Sequence, residues 1–132
     1  MILDANTLFS NAQAITASAG SDNAVDAGAD RDVGGGRPVE VFAQVVEDFA
    51  TLTSLKVGLQ TADDAAFAAP VTLQETAAIP AASLKAGYQF ALSTLPKGCR
   101  RYLRLYYTVA GTAATAGAVT AGLVLDRQSN GV

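Results

Sequence analysis

The sequence predicts an all-β, antiparallel fold, and three observations carry that prediction. Apolar residues alternate with polar ones along several short runs, most clearly Arg101–Val109. There Leu103, Leu105, Tyr107 and Val109 share one parity, and Tyr102, Arg104, Tyr106 and Thr108 share the other. Side chains alternate across a strand, so the first set can enter a core while the second faces water or a partner. Turn-forming clusters punctuate the chain roughly every 8–12 residues, and no long run places apolar residues three and four apart as a helix would. Together these features describe a sandwich, jelly roll or barrel of about eight strands.

The elements follow in order. Met1–Ser10, with Ile2, Leu3, Leu8 and Phe9 around the polar centre Asp4–Thr7, reads as an extended arm lying on the domain or on a neighbour. Asn11–Ala19 alternates as a strand, Gly20–Asp22 is a turn, and Asn23–Asp26 is a very short strand around Val25. Gly28–Pro38, with three consecutive glycines at Gly34–Gly36, reads as a flexible loop because glycine has the most backbone freedom to lose. Val39–Val46 is apolar on both parities and reads as a strand buried on both faces; Glu47–Ala50 breaks it, with Phe49 plugging one end of the core. Leu52–Gln60 resumes the alternation, and Thr61–Ala69 is a loop carrying Asp63, Asp64 and Phe67. Val71–Glu75 is a strand with Val71 and Leu73 inward. Ile79–Pro80 and one helical turn in Ala81–Ala86 precede a strand over Tyr88–Thr94 and a turn at Leu95–Gly98. Arg101–Val109 and Gly117–Leu125 then form the two arms of a central hairpin, joined by the Gly/Ala/Thr-rich loop Ala110–Ala116. This divides the chain into an arm (1–10), one domain (11–126) and a polar tail (127–132).

Composition narrows the function. The 132 residues suffice for one domain with a core, but aromatics are only 7% and much of the apolar content is Ala, so the core is expected to be thin and association to add stability. A net charge of −3 gives no general attraction to nucleic acid or to an anionic membrane. Val109–Leu125 is uncharged for about seventeen residues, near the lower limit of membrane-spanning length, but its Gly, Thr and alternation mark a strand pair instead. Met1–Asp4 has no basic segment or long apolar run and does not read as a signal peptide.

Reactive constellations are scarce. There is no histidine and one cysteine, Cys99, so Cys/His and Ser/His/Asp sites, zinc sites and an internal disulfide are all excluded. Asp22, Asp26, Asp30 and Asp32 do not have the spacing of an EF-hand and read, like Asp63–Asp64, as solvated turn acids. Gly34–Gly36 with Arg37 lacks the Lys–Ser/Thr of a phosphate-binding loop. Glu40 is the one clear strand acid, too little for paired-carboxylate chemistry. No catalysis, cofactor or metal is expected. Contact surface remains: Tyr102, Arg104 and Tyr106 on one strand face with Arg100 in line, residue types that carry much of the energy of protein interfaces.

The chain resembles the jelly-roll cement (decoration) proteins of short-tailed bacteriophage heads. The resemblance rests on Met1–Asp4, Leu8–Ser10, Ala12–Ala17, Leu59–Thr61 with Phe67, Ile79–Pro80, Arg101–Val109 and Thr120–Asp126. It implies an antiparallel jelly roll with an extended N-terminal arm and a non-enzymatic role on the outer surface of the virion. There the protein would bind the expanded head and bridge major-capsid subunits, as a homo-oligomer, a dimer in preference to a trimer. Candidate interface residues are Ile2, Leu3, Leu8, Phe9, Arg100, Tyr102, Arg104 and Tyr106. The rival reading is a carbohydrate-binding sandwich, with Tyr102 and Tyr106 stacking on sugar rings, weakened by the absence of Trp.

Overall fold

A computed structural model describes residues 6–28, 39–96 and 98–124. Ile2 and Leu3, nearly all of the 28–38 loop with its three glycines, and the 127–132 tail lie outside the described residues. The described chain is all-β: β1 (Leu8–Ala14), β2 (Ala19–Gly20), β3 (Val25–Asp26), β4 (Glu40–Ala62), β5 (Val71–Glu75), β6 (Ile79–Pro80) and β7 (Tyr102–Val124), with one 3-10 turn at Ala81–Ser83. Every ladder is antiparallel, and the main path runs β1-β7-β4-β5, with β2 and β3 also on β7 and β6 on β4.

Two expectations need correction. Arg101–Val109 and Gly117–Leu125 are not the arms of one hairpin; residues 102–109 and 117–124 of them belong to a single 23-residue strand, β7. Likewise Val39–Val46 and Leu52–Gln60 are two halves of β4, which pairs with β7 from Glu40↔Val124 to Ala62↔Tyr102. The stretches read as breaks are instead bends shared by both strands. Register shifts cluster between Val45 and Ser54, and Thr51, Gly111 and Gly117 have φ of 75°, 81° and 134° there. Bulges kink a strand and raise its twist. The Thr51 hydroxyl secures the bend by donating to the Ala113 carbonyl at 2.7 Å and accepting from the Thr115 N–H at 3.1 Å.

The bend folds the ladder onto itself. Ser10 of β1 pairs with Ala121 of β7, and its hydroxyl lies 2.7 Å from that of Tyr107. In a straight strand, fourteen residues span about 46 Å, far beyond a tyrosine's reach. The contact therefore requires the two halves of β7 to face one another across a core. One layer runs β2 and β3, the first half of β7, the second half of β4, then β5 and β6. The other runs β1, the second half of β7, the first half of β4, then segment 87–95. That segment is held by Val45 N–H to Tyr88 O (2.8 Å), Phe90 N–H to Ala43 O (2.9 Å) and Leu95 N–H to Val39 O (2.8 Å). It supplies the pairing expected over Tyr88–Thr94, as the isolated bridges Gln44↔Gln89 and Glu40↔Thr94 rather than a full strand.

Four of the nine aromatics lie in the core. Phe9, Phe49, Phe90 and Tyr107 join Val41, Val45, Leu55, Val57, Leu59, Leu103, Leu105 and Val119 in one cluster. Each fully buried large apolar side chain contributes roughly 1.5–3 kcal/mol of transfer free energy. The arm ends sooner than expected, since β1 already begins at Leu8 and Phe9 is fully buried. Val71, expected inward, is 42% exposed; Leu73 alone of that pair packs on the core.

Candidate functional site

The outward parity of the first half of β7 makes the most chemically varied surface of the described chain. Cross-strand pairing places Ala62 opposite Tyr102, Gln60 opposite Arg104, Gly58 opposite Tyr106 and Lys56 opposite Thr108. On the other side of β7, Asp26 lies opposite Tyr102 and Gly20 opposite Tyr106. Directly opposed residues of an antiparallel pair share a face. Tyr102, Arg104 and Tyr106 are all half-buried, while Leu103, Leu105 and Tyr107 between them are buried.

Three arginines meet this surface in different ways. Arg101 holds Asp26 with two hydrogen bonds, Nε to Oδ1 at 2.9 Å and Nη2 to Oδ2 at 3.1 Å, and its guanidinium carbon sits 5.0 Å from the Tyr102 ring centre. The Arg101 hydrogen bond, seconded by the Gly28 N–H, holds the Asp26 carboxyl below the usual carboxylate range. Arg100 reaches Asp63 at 3.2 Å, and its N–H donates to the Thr61 hydroxyl at 2.7 Å. Arg104 lies close to two rings, its guanidinium carbon 4.3 Å from the Phe67 centre and 5.4 Å from the Tyr106 centre. Its Nε donates to Gln60 Oε1 at 2.9 Å. Partial burial pulls the Arg104 pKa down, against a smaller opposing effect of Tyr106.

Two features of this arrangement escaped the sequence. Phe67 is not simply a loop aromatic: it folds over the outside of the layer, is 6% exposed, and adopts a φ of 52°. Gly20 makes room for Arg104, since a Cβ there would lie 2.9 Å from Arg104 Nη1. An aromatic in an otherwise small-residue loop was the available signal for Phe67; nothing local marked Gly20.

The candidate interface residues separate accordingly. Arg100, Tyr102, Arg104 and Tyr106 come together on or beside one outer face. Leu8 lies on the other layer, opposite Gly122, and is half-buried. Phe9 is a core residue and offers no surface to a partner. Glu40 is half-buried in the ladder. Among the described residues no group of three or more His, Cys, Asp and Glu is placed to hold a metal ion, and no helix is long and apolar enough to cross a membrane. Residues 9–123 match the sequence model of the Bbp16 family. No curated protein matches the chain.

Proposed function

This chain belongs to the Bbp16 family, and we propose that it is a capsid cement protein, binding the outer surface of an icosahedral phage head and bridging major-capsid subunits. The observation that carries this reading is the order of strands in the two layers. Counting the halves of β4 and β7 separately, and β2 with β3 and β5 with β6 as single positions, the chain supplies eight strand positions. One layer then reads 1-8-3-6 and the other 2-7-4-5. We read that order as jelly-roll winding, the fold implied by the cement proteins the sequence resembles, and it supports the proposal. The Tyr–Arg face on β7 supports it further, since such residues anchor interfaces.

The mechanism is linkage. A protein that binds the expanded lattice and not its alternatives stabilises that lattice by its binding free energy. Many copies, each touching two capsid subunits, multiply the effect against the outward pressure of packaged DNA. A two-fold dimer is the simplest self-association compatible with bridging.

The test adds purified protein to expanded heads that lack it, and measures co-sedimentation and survival on heating. Binding that saturates at a fixed copy number, with a raised disruption temperature, is the expected result. Protein that neither sediments with heads nor protects them defeats the proposal. Retention on a glycan array in place of head binding, abolished by Tyr102→Ala, would favour a sugar-binding module instead.

A further inference from the structure

We infer that Arg104 is a preformed socket for an acidic side chain of the capsid partner, the anchor of the contact made by the outer face of β7. The inference rests on the cement reading above. It begins from an imbalance among neighbouring arginines. Arg100 is paired with Asp63 and Arg101 with Asp26, but among the described residues no carboxylate forms an ion pair with Arg104. Its side chain makes one hydrogen bond there, from Nε to the neutral amide of Gln60, and its two terminal nitrogens make none.

The cation is nevertheless held in place. Phe67 and Tyr106 flank the guanidinium, Gln60 fixes its Nε, and the absence of a side chain at Gly20 lets the Arg104 side chain pack close against β2. A guanidinium that is partly stripped of water and already ordered loses little freedom when it accepts a partner, which is the condition for a strong contact. Its free terminal N–H groups match the two oxygens of a carboxylate, and such charge-assisted pairs are about twice as strong as neutral hydrogen bonds. The flanking Tyr102 and Tyr106 provide a half-buried rim that can exclude water around the pair. A purely structural role for Arg104, as a cover for Phe67, would account for the stacking but not for a charge that has no counterion among the described residues, beside two neighbours that have theirs there.

The experiment compares wild type, Arg104→Gln and, as an equal charge change away from this face, Lys85→Gln, on nuclease-treated heads over a range of salt concentrations. Wild type that fails to bind refutes the cement reading itself. With wild type bound, the expected result is a loss of roughly ten- to a hundredfold in affinity for Arg104→Gln. A shallower salt dependence should accompany it, and Lys85→Gln should be unchanged. Equal affinity for wild type and Arg104→Gln, or weaker binding with the same salt dependence, overturns the socket. Should Arg104→Gln fold poorly, wild-type protein settles the matter through phenylglyoxal labelling read by peptide mass spectrometry. Arg104 should be modified in free protein and protected on heads, and unchanged labelling on heads overturns the inference.

Discussion

The hydroxyls of Ser10 and Tyr107 meet at 2.7 Å between fully buried side chains that stand on opposite layers, so they report directly on the folding-over of β7. Tyr107→Phe removes one hydroxyl and leaves Ser10 donating to Gln13 Oε1 at 2.6 Å; the expected cost is about 1 kcal/mol. Ser10→Ala is worse, because it strands the Tyr107 hydroxyl away from water, at about 2 kcal/mol. Gln13 suffers less, since its Oε1 still accepts the Asp22 N–H at 2.8 Å. The double variant strands no hydroxyl and should cost about 1 kcal/mol, near the lower single value, leaving a coupling of about 2 kcal/mol. Urea denaturation followed by circular dichroism measures all four corners of the cycle. Single-variant effects that add to the double within about 0.3 kcal/mol would show that the two side chains do not meet, and the two-layer reading of the ladder would fall with them.

Two further outcomes follow from the same geometry. Burial pushes the Tyr107 phenol well above its usual pKa of 10.0, against the opposing effect of the Ser10 hydrogen bond. The folded state therefore keeps a proton that the unfolded chain releases, so wild type should lose stability as pH rises beyond about 10, and Tyr107→Phe should lack that part of the slope in alkaline denaturation. Gly117→Ala should destabilise by about 3 kcal/mol or more in urea melts, because φ is +134° and an added Cβ would meet the Phe49 ring, 2.6 Å from Cε1. Gly28→Ala, at φ +83° with open space around it, should cost only about 1 kcal/mol; equal effects at the two sites would contradict the packing against Phe49.

The legible parts of the fold were those with clean period-two alternation. Leu103, Leu105 and Tyr107 lie inward and Tyr102, Arg104 and Tyr106 outward as their parity requires, and Val71–Glu75 is a strand as its alternation predicts, whereas the two-residue strand at Ile79–Pro80 carries no such signal. Continuity through the bends was not legible. Ala110–Ala116 and Glu47–Ala50 have the composition of loops, and only the neighbouring strand, making the same bend, keeps them in the ladder. Arm and core were confused at Phe9 because a strand that begins with bulges, as β1 does between Leu8, Ser10 and Gln13, shows no steady alternation. At the outer face, the row of Tyr and Arg could be seen, but not which arginine had an acid. Asp26 and Asp63 lie 75 and 37 residues from their partners, a separation that only tertiary structure bridges.

Strand parity on β7 places stability and the proposed contact side by side. Residues 103, 105 and 107 close the core, and residues 102, 104 and 106, one step away on the same backbone, build the outer face. The face is thus carried on the strand whose inward side chains are fixed by packing, and Tyr107 is further tied to β1. A surface held this way presents Arg104 without first having to order it, whereas a loop would have to be ordered on binding. Truncation on the inward parity should therefore weaken folding and binding together, while truncation at Tyr102 or Tyr106 leaves folding cooperativity intact and changes affinity alone. If the outward tyrosines proved as costly to the fold as Leu105, β7 would be buried on both sides and the face would not be available to any partner.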